Sequence, residues 1–509
     1  MTDDKGTSGL MALEIAPIAN RRMHWLRVGL WVLLAFVLVA PTVQAQLEAA
    51  KRQRAREATT RAEDRKALGK EAKGAMARWR TAVEEFWTPG KNIYTMPPTE
   101  PSPGGSYQKS SLHPNMPFTV MLLTPFARLP VWAMVLSWNL LKIAAVLGSL
   151  FMLARVVSHG PGRVPDLVML LAFAWAAPMI AGDFQHANTN CFVLVAVVGH
   201  LWLYRRGADY LAGLPLALAV CLKLTPALFV LYWIYQRNVR LLIGTLMAMV
   251  LFMGVIPQVA LGSTRATELT MTWWQNLIRP GLVEGRAYPI HINQSIPGLL
   301  QRLLIGSPQK EGDISWNSDD DPYYQRLTRG DKEADSPQWI ALANLSPAQA
   351  GRVIRVAQLA IVALGLWGIG WRSLARDDGR RGLHYGLIVA GMMLLNQRTW
   401  DHHATVMLVA GAGVWYALAA GNVGPRARAW AFWLMIVAGV TNWLNRGDFF
   451  KGAAVGLGYS KDVGEHWGNL YDAYGPVCVH FLLVFAATLI LSVALRKSPK
   501  PYRTIEPVA

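Results

Sequence analysis

The stretch Asn396 to Leu408, NQRTWDHHATVML, sets Arg398, Asp401 and the adjacent His402 and His403 directly against an apolar run. Three other connections carry side chains of the same kinds. GDFQHANTN holds Asp183, Gln185, His186, Asn188 and Asn190; HINQSIPGLL holds His291, Asn293 and Gln294; AVEEFWTPGKNIY holds Glu84, Glu85, Lys91, Asn92 and Tyr94. Imidazoles, amides and carboxylates gathered this way suit a polar, hydroxyl-rich ligand, because they supply hydrogen bonds and a place for a proton. Asp401 could fix one imidazole by accepting its N–H, freeing the other ring nitrogen for a phosphate or hydroxyl. Capping of the next helix by Asp401, with merely interfacial histidines, is the plainer use of the same residues. Adjacent histidines on a helix point about 100° apart, and no HExxH or second spaced pair accompanies them, so no metal site is expected. Walker, GxGxxG and GxSxG motifs are missing from the sequence, and no cofactor is expected either. Asn293-Gln294-Ser295 also fits an N-glycosylation acceptor, on a three-residue match alone.

What must position these residues is a membrane bundle. The 509 residues are 53% hydrophobic and 16% charged, with 21 tryptophans and a mean hydropathy of +0.24, too apolar and aromatic for an ordinary soluble domain. The net charge of +18 does not indicate nucleic acid, because the basic residues flank apolar segments, where they orient helices and meet anionic headgroups. Cys191, Cys221 and Cys478 lie in apolar segments without pairing or ligand spacing and read as core thiols.

Apolar runs at 24–45, 131–155, 165–181, 191–204, 209–222, 224–236, 241–261, 353–374, 383–398, 404–420, 429–445 and 476–496 predict an all-α polytopic bundle of about twelve spans. The first run ends in VQAQ, which loosely resembles a signal-peptidase site, but its length suits a retained anchor better. Arginines mark every second connection, from Arg21, Arg22 and Arg27 to Arg496 and Arg503, which places those connections and both termini in the cytoplasm. The organisation expected is a cytoplasmic 1–23, a first span 24–45, an outer loop 46–130, a bundle 131–261, an outer loop 262–352, a second bundle 353–496 and a cytoplasmic tail 497–509. All four polar clusters then share the outer side of the plasma membrane. The basic stretch 51–80 would also lie outside, as one exposed helix, since long loops translocate largely regardless of charge. The piece FTVMLLTPFARLP is too short to span and suits a re-entrant or interfacial element.

The runs 209–222 and 224–236 both end in cytoplasmic arginines, so the chain turns back at LKLTP and puts Lys223 at the tip. A lysine there either meets an anionic ligand group or snorkels or forms an internal ion pair.

With these elements in place, the chain resembles glycosyltransferase family 87, the polyprenol-phosphate-mannose-dependent α-mannosyltransferases of the GT-C class. The resemblance runs in order from about 114 to 420 and is carried by AGLPLALAVCLKLTP, HINQSIPGLLQRLL and NQRTWDHHATVML, with LKLTP and DHH the most specific. It implies transfer of a hexose, by analogy mannose, from a polyprenyl-phosphate donor to an outer-face glycolipid or glycan, with inversion and without metal. By position it implies that Lys223, His402 and His403 serve the donor, beside Gln185, Asn188, Asn190, Asn293, Gln294 and Arg398 as substrate-binding residues. The chain departs from the family in reading Gly182-Asp183 where Gly-Gln is usual, and in carrying a charged insertion where the family's first outer loop has an aspartate base. The candidates for that base are Glu84, Glu85, Asp183 and Asp401, with Asp64 further back. A transporter or lipid flippase is the rival class, since it too needs intramembrane polar groups; clusters on one side and long outer loops speak against it.

Overall fold

The computed structural model describes residues 21–58, 75–95, 115–283, 285, 291–305, 340–444, 447–498 and 500–503. The N-terminal residues 1–20, Asp64 with the middle of the basic stretch, the Pro-rich loop at 96–114 and the bulk of the 262–352 connection beyond Ile305 lie outside these. Among the described residues the chain is all-α, and the isolated bridge between Gly421 and Tyr502 is its single extended pairing.

The helices, in chain order, are α1 (Arg21–Ala58), α2 (Ala75–Trp87), α3 (Pro117–Ala127), α4 (Val131–Val156), α5 (Asp166–His186), α6 (Asn190–Arg205), α7 (Asp209–Leu222), α8 (Ala227–Tyr235) and α9 (Val239–Leu261). They continue as α10 (Ser263–Trp273), α11 (Ile296–Ile305), α12 (Pro347–Ile369), α13 (Arg380–Leu395), α14 (Asp401–Ala420), α15 (Pro425–Leu444), α16 (Gly447–Gly456), α17 (Lys461–Ala473) and α18 (Pro476–Arg496). Every apolar run read from the sequence falls on one of them. Among the described residues, 7 helices are long and apolar enough to cross a membrane: α1 over His24–Glu48, α4, α5, α9, α12, α14 and α18. The other runs lie on shorter helices, such as α6 and α13 with 16 residues and α7 with 14, and on α15, which opens with Arg426 and Arg428.

Burial sorts these helices into layers. The windows of α5 and α14 are 78% and 83% buried, whereas those of α9 and α12 are 17% and 22% buried. The outer helices therefore present leucines, valines and methionines such as Leu246, Met247, Val259 and Leu359 to surroundings that must themselves be apolar, because exposed apolar stripes of this length are not tolerated in water. The chain is a multi-pass membrane protein.

Local sequence explains the short elements. At LKLTP the proline has no amide to donate and disfavours a helical residue before it; α7 stops at Leu222, Lys223 is extended (φ −161°, ψ 132°) and α8 begins at Ala227. The FTVMLLTPFARLP piece forms the 11-residue α3, which packs with α2, Met134 and Trp138 into a second core that also takes in Cys221 beside the hairpin tip. Of the basic stretch, residues 51–58 continue α1 and 75–80 belong to α2, where Trp79 is buried; 59–74 lie outside the described residues.

The connections segregate. Arg205 donates to Ser158 O at 3.0 Å, Gly160 N to Asp377 O at 2.9 Å, Tyr235 Oη to Gly370 O at 3.1 Å, and Asn422 N to Pro501 O at 2.9 Å. Arg376 clasps Asp209 through two bonds of 2.6 and 2.8 Å. The arginine-bearing connections thus meet at one end of the bundle. The polar connections meet at the other.

Candidate active site

The polar end is built around the α5–α6 corner. α5 closes with Ala187 in the left-handed region (φ 51°, ψ 34°), and this turn brings Asp183 under the first residues of α6. Asp183 Oδ1 accepts from Asn190 Nδ2 at 2.8 Å and from Asn190 N at 3.3 Å, and Oδ2 accepts from Cys191 N at 3.4 Å. Lys142 Nζ, from the middle of α4, lies 2.9 Å from Oδ2 and donates to Asp183 O at 2.7 Å; both side chains are 0% exposed. Asp183 is therefore a buried, paired and hydrogen-bonded carboxylate that caps α6. Lys223 reaches the same corner, with Nζ donating to Asn190 Oδ1 at 3.0 Å.

Against this corner sits the first turn of α14. Gly182 allows the approach: a β-carbon there would lie 3.2 Å from His402 Cβ. His402 Nδ1 lies 3.1 Å from Asp401 Oδ1, which also accepts from His402 N at 2.6 Å. His402 is 2% exposed, yet its Nε2 has no protein partner among the described residues. His403 Nδ1 accepts from Trp400 N at 3.2 Å, which puts the neutral ring's proton on Nε2 and makes that atom a donor. Around these rings stand His186, with its centroid 4.3 Å from that of His402, and Trp400, stacked on His403 at 5.5 Å, with the Arg398 guanidinium 4.5 Å from the Trp400 ring centroid. Lys223, Arg398 and His403 lie within electrostatic reach of one another.

The polar side chains of HINQSIPGLL bond the neighbouring loops. Asn293 Nδ2 donates to Gln397 O at 2.9 Å, and its Oδ1 accepts from Thr399 N at 3.0 Å and Ser295 Oγ at 2.9 Å. The side chain fits because Gly298 has no β-carbon, which would fall 2.4 Å from Nδ2. Gln294 N donates to Thr399 O at 2.6 Å and its Nε2 to Asp472 O at 2.8 Å; Arg302, fully buried, donates to Ala473 O at 2.7 Å and Asn293 O at 2.8 Å. At 0% and 2% exposure, Asn293 and Gln294 hold the backbone before Asp401 and the end of α17 together. Asn293 so enclosed has no room for a glycan, which removes the glycosylation reading. Asp472 faces Asp401, and burial together with that neighbour pushes its carboxyl up to about 7, against the pull of Arg302.

The remaining residues named from the sequence are more dispersed. Gln185 is exposed and Asn188 half-buried at the α5–α6 turn. Glu84 and Glu85 lie on α2, 3.7 Å from Arg80 and 3.9 Å from Lys91. Their loop is held in place by Trp87 Nε1 donating to Thr124 Oγ1 at 2.9 Å, by the buried Tyr94, and by Arg265 donating to Phe86 O at 2.8 Å. Sequence reading passed over Lys142, Arg302 and Asp472. For Lys142 a signal existed, since a lone lysine amid WNLLKIAAVL demands a buried partner.

Residues 115–316 match the model of glycosyltransferase family 87. This span contains Asp183, Asn190, Lys223 and Asn293; Asp401 to His403 lie beyond it. The chain is 26% identical over 243 residues, 44% of its own length and 52% of the relative's, to a polyprenol-phosphate-mannose-dependent alpha-(1-2)-phosphatidylinositol mannoside mannosyltransferase of Mycobacterium tuberculosis. It is 30% identical over 142 residues, 27% of this chain and 30% of the relative, to a protein of the same description from Mycolicibacterium smegmatis. A pentamannoside mannosyltransferase of Mycobacterium tuberculosis, likewise polyprenol-phosphate-mannose-dependent, is 22% identical over 332 residues, 64% of each chain. Aligned residues thus span about half the length of the first of these relatives, 52%. No solved structure matches significantly. The family match and the relatives bear out, for the segment from α3 through the hairpin and HINQSIPGLL, the resemblance to glycosyltransferase family 87.

Proposed function

We propose that this chain is an integral-membrane hexosyltransferase that moves mannose from a polyprenyl-phosphate donor to a glycolipid acceptor on the outer face of the plasma membrane. The observation that carries the reading is the meeting of Lys223, Arg398 and His403 beside the Asp401–His402 pair, at the end of the bundle opposite the arginine-bearing connections. The two cations and the His403 Nε2–H suit a departing phosphate, whose growing charge they offset as the sugar–oxygen bond breaks. His402, held by Asp401, presents Nε2 to a phosphate or sugar hydroxyl. The tendency of basic connections to stay inside supports an outer placement for this end. The relatives' names point to a phosphatidylinositol mannoside as acceptor class.

Of the carboxylates named from the sequence, Asp183 supports the site's architecture, Asp401 orients His402, and Glu84 and Glu85 belong to an outer surface next to their own basic partners. Membranes from an overexpressing strain, given radiolabelled polyprenyl-phosphate mannose and mannoside lipid, should form a labelled product that His403→Ala membranes do not. Equal labelling in both, or none from any polyprenyl-phosphate hexose, contradicts the reading.

A further inference from the structure

Among the described residues, the carboxylates named from the sequence are committed to other groups, and the proton of the acceptor hydroxyl needs a destination. Asp183 has no free lone pair directed away from Lys142, Asn190 and Cys191. Asp401 is committed through Oδ1, which accepts twice from His402, to holding that ring. A further carboxylate reaches this end of the bundle on α17. Gln294 is the gauge of its place: the backbone N–H binds Thr399 O at 2.6 Å and the side-chain Nε2 binds Asp472 O at 2.8 Å. One buried residue therefore joins the loop that leads into Asp401 to the turn that carries Asp472. Arg302 fixes the same turn through Ala473 O at 2.7 Å. The buried His402 Nε2 and Gln294 Oε1, on the two segments that Gln294 joins to Asp472, have no protein partners among the described residues, which marks this place as one completed by a ligand.

We propose that Asp472 is the general base of the transfer, an assignment that rests on the glycosyltransferase reading. The acceptor oxygen bonds to the anomeric carbon while the bond from that carbon to the phosphate oxygen breaks. The phosphate leaves with the electron pair and stays an anion beside Lys223 and Arg398; the hydroxyl proton passes to Asp472 and then to water. The charged and titratable groups within electrostatic reach of Asp472 are Asp401 on α14, Arg302 on α11 and Tyr471 on its own helix. On the α16 side, Lys451 is engaged 2.8 Å from Glu465. With its carboxyl pushed up to about 7 by burial and by Asp401, Asp472 is poised for exchange near neutral pH, where a general base is most effective. Turnover then rises with pH through about 7, since only the deprotonated form accepts a proton.

The test compares wild type, Asp472→Asn and Asp472→Glu in detergent, with three readouts: binding of polyprenyl phosphate, mannosyl transfer across pH 5.5 to 8.5 (roughly the window a carboxyl near 7 requires), and melting temperature. Expected are unchanged polyprenyl-phosphate binding in all three, a loss of about 10² to 10⁴ in Asp472→Asn turnover with the rise through neutral pH abolished, and partial recovery in Asp472→Glu. At pH 8 Asp472→Asn should melt no lower than wild type, because the amide removes a charge that burial disfavours; a purely structural aspartate would show the reverse. Asp472→Asn that keeps more than about a tenth of wild-type turnover, or keeps the same pH profile, overturns the assignment while leaving the transferase reading intact. Wild type that binds polyprenyl phosphate but transfers no hexose overturns both.

Discussion

At the arginine-bearing end Arg376 grips both oxygens of Asp209 and Arg380 lies 2.6 Å from Asp378, whereas at the opposite end Lys223 has an amide as its hydrogen-bond partner and His402 Nε2 has no protein partner among the described residues. Both ends spend charge on the fold, the polar end through Lys142–Asp183 and Arg302, but the polar end also brings Lys223 and Arg398 within electrostatic reach of each other. Cations satisfied by fixed carboxylates and carbonyls stabilise a crossing of helices; Lys223, bonded to an amide with Arg398 within electrostatic reach and with the Asp183 carboxylate already committed to Lys142, is placed to receive an anion. That contrast separates architecture from chemistry in this molecule, and each variant below tests one side of it.

The largest effect should come from the buried pair beneath the site. Lys142→Ala strands the Asp183 carboxylate at 0% exposure and should cost about 3–5 kcal/mol of stability, read as loss of folded protein in detergent. Lys142→Met combined with Asp183→Asn should recover a large part of it, because a buried pair can be exchanged for neutral groups at little net cost. Next in size, Lys223→Ala should weaken apparent donor affinity by about 1.5–3 kcal/mol, the scale of a hydrogen bond to a charged group, with melting close to wild type. At the other end, Arg376→Ala should lower stability by about 1 kcal/mol or less, since its side chain is 39% exposed and screened, and should leave turnover per folded molecule unchanged. The smallest changes belong to Glu84→Gln and Glu85→Gln: less than ~0.5 kcal/mol in stability for such surface residues, and no measurable fall in turnover. A near-dead Glu84→Gln or Glu85→Gln would return the base to α2 and blur the division between the ends.

Much of this arrangement was legible in the residues themselves. The apolar runs and alternating arginines located the helices and sorted the connections, because membrane spans are set by length and hydropathy and basic flanks are grouped by topology. LKLTP announced a hairpin with Lys223 at its tip, since a proline there ends one helix and starts another. Partner identity was not legible. Asp183 looked like a free acid because the residue that neutralises it, Lys142, stands 41 positions away, and periodicity says nothing about which helices touch. The partners of Asn293 and Gln294 at 397–399 and 472 were hidden for the same reason and appear only when the loops meet. Asp472 went unnoticed since an acid in an amphipathic outer helix is ordinarily solvated, and only burial against Asp401 makes it unusual.

The central claim is that Lys223, bonded to an amide at the polar end, binds the donor's phosphate and Arg376, clasped to Asp209 at the other end, does not. Its most direct test is the donor-concentration dependence of mannosyl transfer in reconstituted wild type, Lys223→Ala and Arg376→Ala measured side by side. The account predicts that Lys223→Ala needs about 10- to 150-fold more polyprenyl-phosphate mannose to reach half its maximal rate, while Arg376→Ala follows the wild-type curve. Identical donor dependence in wild type and Lys223→Ala, or a shift of that size in Arg376→Ala, would contradict it.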